Sequence, residues 1–232
     1  MHALKSLFVV SVLAVAGCAS QPAVPPPEYP GLEQSDKIIV QDLRPKSEGE
    51  KEIFSLLISS DAYAIYRVAD DATKPTGARL LAHRAYEAFP ELSSQPSIKV
   101  QHFVTYANLQ SKLRTTAIVA GLAGPIGVAL MSQQDLPVSE VLTTQVDSAV
   151  FEQTAGDKEH TRAYFTAEEN PEKSPVNLIY IDTEMLGKRV ASRCLVPPIV
   201  GKPNLFLVEA FDMCIANHLA LYRAKGPDTG AN

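Results

Sequence analysis

The sequence predicts an α+β fold, a mainly antiparallel sheet with packed helices, in a single domain that follows a proline-rich linker. Three observations predict it. Apolar runs occur in pairs joined by short turns, as in β-hairpins. Two segments repeat their apolar residues with the period of a helix, and strands do not alternate regularly with helices as they would in a parallel α/β sheet. The chain has 232 residues, 46% of them hydrophobic, which suffices for a core.

The first strands are predicted from two kinds of pattern. Residues 37–41 form the β-branched run Lys-Ile-Ile-Val-Gln, which is typical of a short strand. Residues 53–59 and 62–69 are apolar runs separated by Ser60 and Asp61, and this arrangement predicts a hairpin.

Asp42 and Arg44 stand two residues apart just after the first strand. Two interpretations are open: the pair binds a polar group, or it belongs to a turn that ends the strand. Pro45 favours the turn, because proline fixes its own backbone angle there.

The first helix is predicted over Gly77–Phe89. Thr76 can cap its N-terminus, and Pro90 ends it because proline disfavours helical geometry at the preceding residue. Its apolar face is expected to comprise Ala78, Leu81, Ala85 and Ala88.

Residues 98–106 alternate strictly and predict a half-buried strand. The alternation assigns to one face Ile98, Val100, His102, Val104 and Tyr106. His102 is therefore interpreted as a core or rim histidine with satisfied nitrogens, rather than as a ligand.

The C-terminal half is predicted to contain a second hairpin and a long helix. Residues 176–184 and 189–196 flank a Leu-Gly-Lys turn. Asn204 can cap a helix of about 20 residues, with an apolar face of Val208, Phe211, Ile215, Leu219 and Tyr222. His218 on this helix is interpreted like His102. Residues 139–153 are ambiguous between strand and helix, and their spacing favours a helix.

Charge and motifs exclude several function classes. The net charge of -5, without a basic tract, argues against nucleic-acid binding. The sequence has no His-Glu-x-x-His, no paired-cysteine zinc spacing and no Gly-x-Ser-x-Gly elbow. We therefore predict no catalytic residues, no metal ligands and no cofactor.

The N-terminus predicts where the protein goes. Residues 1–17 have the form of an export signal, with Lys5 followed by an apolar stretch that is too short to span a membrane. The signal ends in Val15-Ala16-Gly17-Cys18, which resembles the lipobox of bacterial lipoproteins.

This resemblance implies cleavage before Cys18 and attachment of diacylglycerol and a further acyl chain, such as palmitate, to that residue. Because Ala19 and Ser20 follow rather than aspartate, it also implies sorting to the outer membrane, facing the periplasm. The predicted organisation is then a signal peptide at 1–17, a lipid-anchored proline-rich linker at 18–36, a globular α+β domain at 37–223 and a flexible tail at 224–232.

Cys194 and Cys214 are the cysteines left after Cys18 is lipidated. An oxidising compartment permits a disulfide between them, which could contribute about 3 kcal/mol on the chain-entropy model. Two buried free thiols are the alternative.

Residues 115–134 form an uncharged segment of 20 residues. Three interpretations are open: a buried helical hairpin, an apolar surface that contacts the membrane or a partner, and a pocket-lining loop. The second would use the residues at its centre, Leu122, Gly124, Pro125 and Ile126.

These features predict a non-enzymatic lipoprotein of the cell envelope that binds a protein partner or has a structural role in an assembly. A lipid- or small-ligand-binding lipoprotein is the alternative, and a hydrolase without a readable motif is less favoured.

Overall fold

The computed structural model describes residues 39–58, 61–94, 97–108, 113–114, 141–164, 176–196 and 206–224. The strands are β1 (Ile39–Asp42), β2 (Glu52–Ile58), β3 (Asp61–Val68), β4 (Ser97–Asn108), β5 (Leu113–Arg114), β6 (Leu142–Val146), β7 (Val176–Met185) and β8 (Lys188–Val196). The α-helices are α1 (Gly77–Ala88), α2 (Ser148–Gln153) and α3 (Phe206–Arg223), and short 3₁₀ helices lie at Lys46–Gly49, Asp70–Ala72, Pro90–Ser93 and Gly156–Ala163.

The eight strands form one sheet in the order β2-β3-β4-β7-β8-β6. Two short strands also join the sheet: β1 pairs in parallel with β4, and β5 pairs with β3. All pairings except that of β1 with β4 are antiparallel. The predicted α+β fold with a mainly antiparallel sheet is confirmed.

One face of the sheet packs against α1 and α3, and we call it the helix face. Its core includes Leu80, Leu81, Ile98, Phe103, Ile181, Phe211 and Ile215. Thr76 caps α1 as predicted, accepting a hydrogen bond from the Arg79 backbone N–H at 3.4 Å. Gly77 lets α1 approach the sheet closely, because a Cβ there would lie 2.1 Å from the Phe103 ring.

The opposite face, which we call the polar face, carries a smaller core under α2 and the Gly156–Ala163 3₁₀ helix. Its buried members are Ile65, Val104, Tyr106, Phe151, Ala163, Val176, Leu178, Tyr180 and Leu195. Charged side chains are also buried on this face.

A β-bulge in β4 overturns the predicted assignment of its faces. The pairing with β7 shifts register between Val100 and His102. Because side chains alternate with a period of two, one extra residue reverses the faces of all that follow. Ile98 and Val100 therefore pack on the helix face, whereas Val104 and Tyr106 pack on the polar face. The prediction of a half-buried strand holds for residues 98–101, where buried and partly exposed residues alternate, and is wrong from His102 onward, since residues 102–108 are all buried.

The ambiguous residues 139–153 contain both elements, so the preference for a single helix was wrong within the described part from 141 onward. Residues 142–146 form the edge strand β6, where Thr143 and Thr144 suit a strand. Asp147 then caps α2, its carboxylate accepting a hydrogen bond from the Ala149 N–H at 2.8 Å.

The turn between β7 and β8 has positive φ at both central residues, 53° at Leu186 and 73° at Gly187. This is the pattern of a type I′ hairpin turn, which favours Asn-Gly. Leucine is unfavourable at the first position, because a Cβ-bearing residue in the left-handed region costs about 1–2 kcal/mol.

We therefore expect Leu186→Asn to raise the free energy of unfolding by about 1 kcal/mol, because asparagine tolerates this conformation and Leu186 is 40% exposed. Urea denaturation measures the change. Gly187→Ala, at the neighbouring positive φ, is the opposed control and should lower stability. A leucine-to-asparagine exchange that leaves stability unchanged or lowers it would contradict this account of the turn.

Candidate functional site

The residues predicted from the N-terminus and the uncharged segment lie outside the described residues. These are Cys18, Leu122, Gly124, Pro125 and Ile126. Lipidation and contact with a membrane or partner therefore stay predictions.

Cys194 and Cys214 are joined by a disulfide in the structure, with their Cα atoms 5.7 Å apart. Cys194 lies on β8 and Cys214 on α3, and both are fully buried on the helix face. The bridge fastens the long C-terminal helix to β8, the strand next to β6 in the sheet.

Arg44 has no donor left for a ligand. Its five guanidinium N–H groups donate to Asp42, to Asp70 and to the Phe103 carbonyl over distances of 2.8–3.1 Å. Burial alone would lower the pKa of Arg44, but its hydrogen bonds to Asp42 and Asp70 raise it. The same contact with Arg44 lowers the pKa of Asp42. Of the two interpretations of this pair, the geometry supports the structural turn.

A buried ion pair lies under the hairpin of β2 and β3. Arg67 is 1% exposed, and its Nη1 donates to Glu159 Oε1 at 2.5 Å. The Tyr106 hydroxyl donates to the same oxygen at 2.7 Å. Arg67 also donates to the Glu50 carbonyl at 2.7 Å and to Glu52 at 2.9 Å. Burial, together with the bond to Glu159, raises the pKa of Tyr106 above its ordinary value of 10.

A second polar group on the same face lies at the bulge, and we call it the His102 cluster: Glu48, His102 and Arg162. Glu48 Oε1 is 2.6 Å from His102 Nδ1 and 3.3 Å from Arg162 Nη1. All three side chains are buried, with Glu48 3% exposed. The Arg162 guanidinium stacks 4.0 Å from the centre of the Phe151 ring, whose centroid is 4.5 Å from that of His102. The bulge turns His102 toward this cluster rather than toward the helices.

His218 lies on the helix face between two hydroxyl groups. Its Nδ1 is 2.8 Å from Ser192 Oγ, and its Nε2 is 2.7 Å from Thr183 Oγ1. Burial lowers the pKa of His218 from 6.5 to about 3. Ser192 and His218 are both 0% exposed, so this serine-histidine contact cannot reach a substrate. It satisfies buried polar atoms instead.

The His102 cluster is thus the best candidate functional site in the described part of the chain. His102 hydrogen-bonds there to a carboxylate and to no hydroxyl or thiol, so it does not form a nucleophile-base pair. No group of three or more His, Cys, Asp or Glu side chains among the described residues could hold a metal ion. The chemistry that the side chains of the His102 cluster can support is proton exchange and hydrogen bonding.

Sequence reasoning singled out His102 but missed its partners. Glu48 and Arg162 are separated from each other by 114 residues and lie in short 3₁₀ helices without a repeating pattern.

Comparisons with protein-family models, with curated proteins and with solved structures found no match to this chain. None of the described helices is long and apolar enough to cross a membrane.

We expect Glu159→Ala to lower the free energy of unfolding by about 3 kcal/mol, because it removes the buried carboxylate that Arg67 and Tyr106 share and leaves Arg67 with the half-exposed Glu52 as its charged partner. Glu159→Gln should cost less, since an amide oxygen still accepts a hydrogen bond. Glu184→Ala is the matched control: it breaks a half-exposed pair with Lys99 and should cost less than about 1 kcal/mol. Urea denaturation of the three variants tests the ranking, and equal losses at positions 159 and 184 would contradict it.

His218 makes stability fall in acid. Below pH 6.5 the unfolded chain binds a proton at His218 that the folded chain excludes down to about pH 3. Stability is therefore fully present above pH 6.5 and decreases by up to about 1.4 kcal/mol per pH unit as the pH falls. Unfolding midpoints between pH 7 and pH 4 should show a shallower slope for His218→Gln than for the wild type. The exposed His160→Gln should keep the wild-type slope, and a wild-type slope in His218→Gln would refute the assignment.

Proposed function

We propose that this chain is a lipoprotein anchored in the outer membrane through Cys18 and facing the periplasm, and that its folded domain binds a protein partner in an envelope assembly. The anchor is supported by the position of Cys18, which directly follows Val15-Ala16-Gly17 at the end of the apolar stretch. Several acyl chains on one residue anchor a protein firmly, whereas one chain is marginal.

The edge strand β2 supports the choice of a protein partner. Within the described residues, β2 pairs with β3 alone, so its outer edge offers backbone N–H and C=O groups to a further strand. Ile53 and Leu56 pair with Tyr66 and Ala64, which places both on the helix face. They are 48% and 45% exposed, unlike the buried residues opposite them.

This edge suits an extended segment of an envelope protein that adds to the sheet. In such strand addition, main-chain hydrogen bonds supply affinity and side-chain contacts supply selectivity. Ile53 and Leu56 would contact apolar residues of the added strand. A lipid or a membrane surface would not use the hydrogen-bonding groups of the edge.

The central residues of the segment 115–134 remain a second, sequence-based candidate for the partner surface. Ile126→Asp tests it by placing a charge there. The two surfaces are distinguished by which substitution releases the partner.

The experiment is a mild-detergent pull-down of the full acylated chain from its own envelope after cross-linking. We expect a stoichiometric protein partner with the wild type and its loss from the double variant Ile53→Glu, Leu56→Glu. Val150→Glu is the matched control, since Val150 is 57% exposed but lies on α2. It should retain the partner. Unfolding curves show whether each variant is folded.

Mass spectrometry of the N-terminal peptide tests the anchor separately, and we expect the mature chain to begin at a Cys18 that carries diacylglycerol and a further acyl chain. A mature N-terminal peptide without lipid on Cys18 would overturn the anchor. Retention of the partner by the folded double variant would exclude the β2 edge, and loss with Ile126→Asp would transfer the surface to residues 115–134. A stoichiometric lipid without any protein would favour the alternative of a ligand-binding lipoprotein.

A further inference from the structure

Four histidines are described, and they differ in how their ring nitrogens are used. His83 Nε2 lies 3.3 Å from the exposed Glu87 carboxylate one turn further along α1, and its Nδ1 is enclosed without a partner among the described residues. His218 has a hydroxyl at each nitrogen and is fully buried. His160 is exposed and contacts the Asp157 carbonyl in its own 3₁₀ helix. His102 differs from the other three, because one nitrogen meets a buried carboxylate from a distant part of the chain, and the other has no partner among the described residues but is not enclosed.

The Nδ1 side of His102 is fixed. A carboxylate only accepts hydrogen bonds, so the short contact of 2.6 Å makes Nδ1 the donor toward Glu48. In the neutral ring the lone pair then lies on Nε2. Arg162 holds the same Glu48 oxygen and stacks on Phe151, so the carboxylate that orients the imidazole is itself held in place.

The Nε2 side of His102 is open. This atom has no hydrogen-bond partner within the described residues and is not among their fully enclosed unpaired atoms. The side chain keeps 9% of its surface accessible. The small accessible part of this otherwise buried ring therefore includes Nε2.

Glu48 supplies a second, independent observation. Its Oε2 is enclosed and has no partner in the described part of the chain, although the residue is 3% exposed. An enclosed carboxylate oxygen without a donor is costly, and such atoms call for a donor. Of these two unpaired acceptors only His102 Nε2 is accessible, and an acceptor there selects against a carboxylate or phosphate ligand, which brings no donor.

We propose that the His102 cluster is an acid-base site for an uncharged or cationic ligand that brings O–H or N–H donors. The ligand donates to His102 Nε2. When the proton transfers, it moves from the ligand oxygen or nitrogen to Nε2, the electron pair of that bond stays on the ligand atom, and the imidazolium keeps its Nδ1–H bond to Glu48. Return of the proton restores both partners, so no other reactant is required. This site is separate from the β2 edge and from the anchor.

Diethyl pyrocarbonate tests the open lone pair. Nε2 attacks one carbonyl carbon of the reagent, a C–N bond forms, and monoethyl carbonate leaves and breaks down to carbon dioxide and ethanol. With the full chain at neutral pH, peptide mapping should show His102 labelled on the order of tenfold faster than His218, whose nitrogens are both occupied and buried. His160 is the exposed internal reference, and labelling of His218 after denaturation shows that burial protects it.

Glu48→Gln separates an oriented acid-base group from a merely accessible histidine. Glutamine keeps an acceptor for Nδ1 but loses the charge that supports the Nε2 lone pair, so His102 labelling should slow on the order of threefold relative to His160. A purely structural histidine would label equally in both proteins. Glu184→Gln, on the neighbouring strand, is the matched variant and should leave the rate unchanged.

Long-range ¹H–¹⁵N correlation spectra of the wild type give a second measurement that needs no variant. We expect His102 in the Nδ1–H tautomer, with a bare Nε2. The proposal is overturned if His102 resists the reagent as His218 does, if its tautomer is Nε2–H, or if folded Glu48→Gln labels at the wild-type rate. None of these outcomes depends on the partner or the anchor.

Discussion

The polar face of this sheet depends on the ion pair between Arg67 and Glu159. Both charges are buried, and removing a charge from water is costly unless a partner and further hydrogen bonds replace the lost solvation. Tyr106 and the Glu50 carbonyl provide those bonds. Because Arg67 belongs to β3 and Glu159 to a 3₁₀ helix far along the chain, satisfying this one guanidinium fixes the distant segment over the sheet. The aromatic core between them is enclosed as a result.

The two faces are stabilised by different physics. On the helix face, long apolar stripes of α1 and α3 pack over the sheet, and the Cys194–Cys214 disulfide holds α3 in place. On the polar face, the covering elements are short and contribute few apolar side chains, of which Phe151 is the largest. On this face, ion pairs and stacked guanidinium groups hold the covering elements to the sheet. Such contacts are directional, so they position side chains more strictly than apolar packing does.

Elements whose signals are local could be predicted from the sequence. Contacts between residues far apart in the chain could not. Thr76 and Pro90 mark the ends of α1, and Leu-Gly-Lys marks the β7–β8 turn, because caps and turns are encoded within a few residues. The bulge in β4 left one local mark that the predicted alternation overlooked: His102 is a polar residue in the apolar series, and Phe103 is an apolar residue in the polar series. Glu48 and Glu159 look like solvated acids in the sequence. Their burial follows from partners 54 and 92 residues away, which a pattern along the chain does not specify.

The segment between β1 and β2 connects the proposed edge and the His102 cluster. Leu43 is 52% exposed, so this segment is held less by apolar burial than by polar contacts: Arg44 to Asp70, Glu48 to His102, and the Glu50 carbonyl to Arg67. β2 begins two residues after Glu50. A strand that added to β2 would therefore order backbone that continues directly into the loop carrying Glu48. Because the contacts along this loop are buried or partly buried, salt screens them weakly, and the cluster should keep its geometry over a wide range of ionic strength.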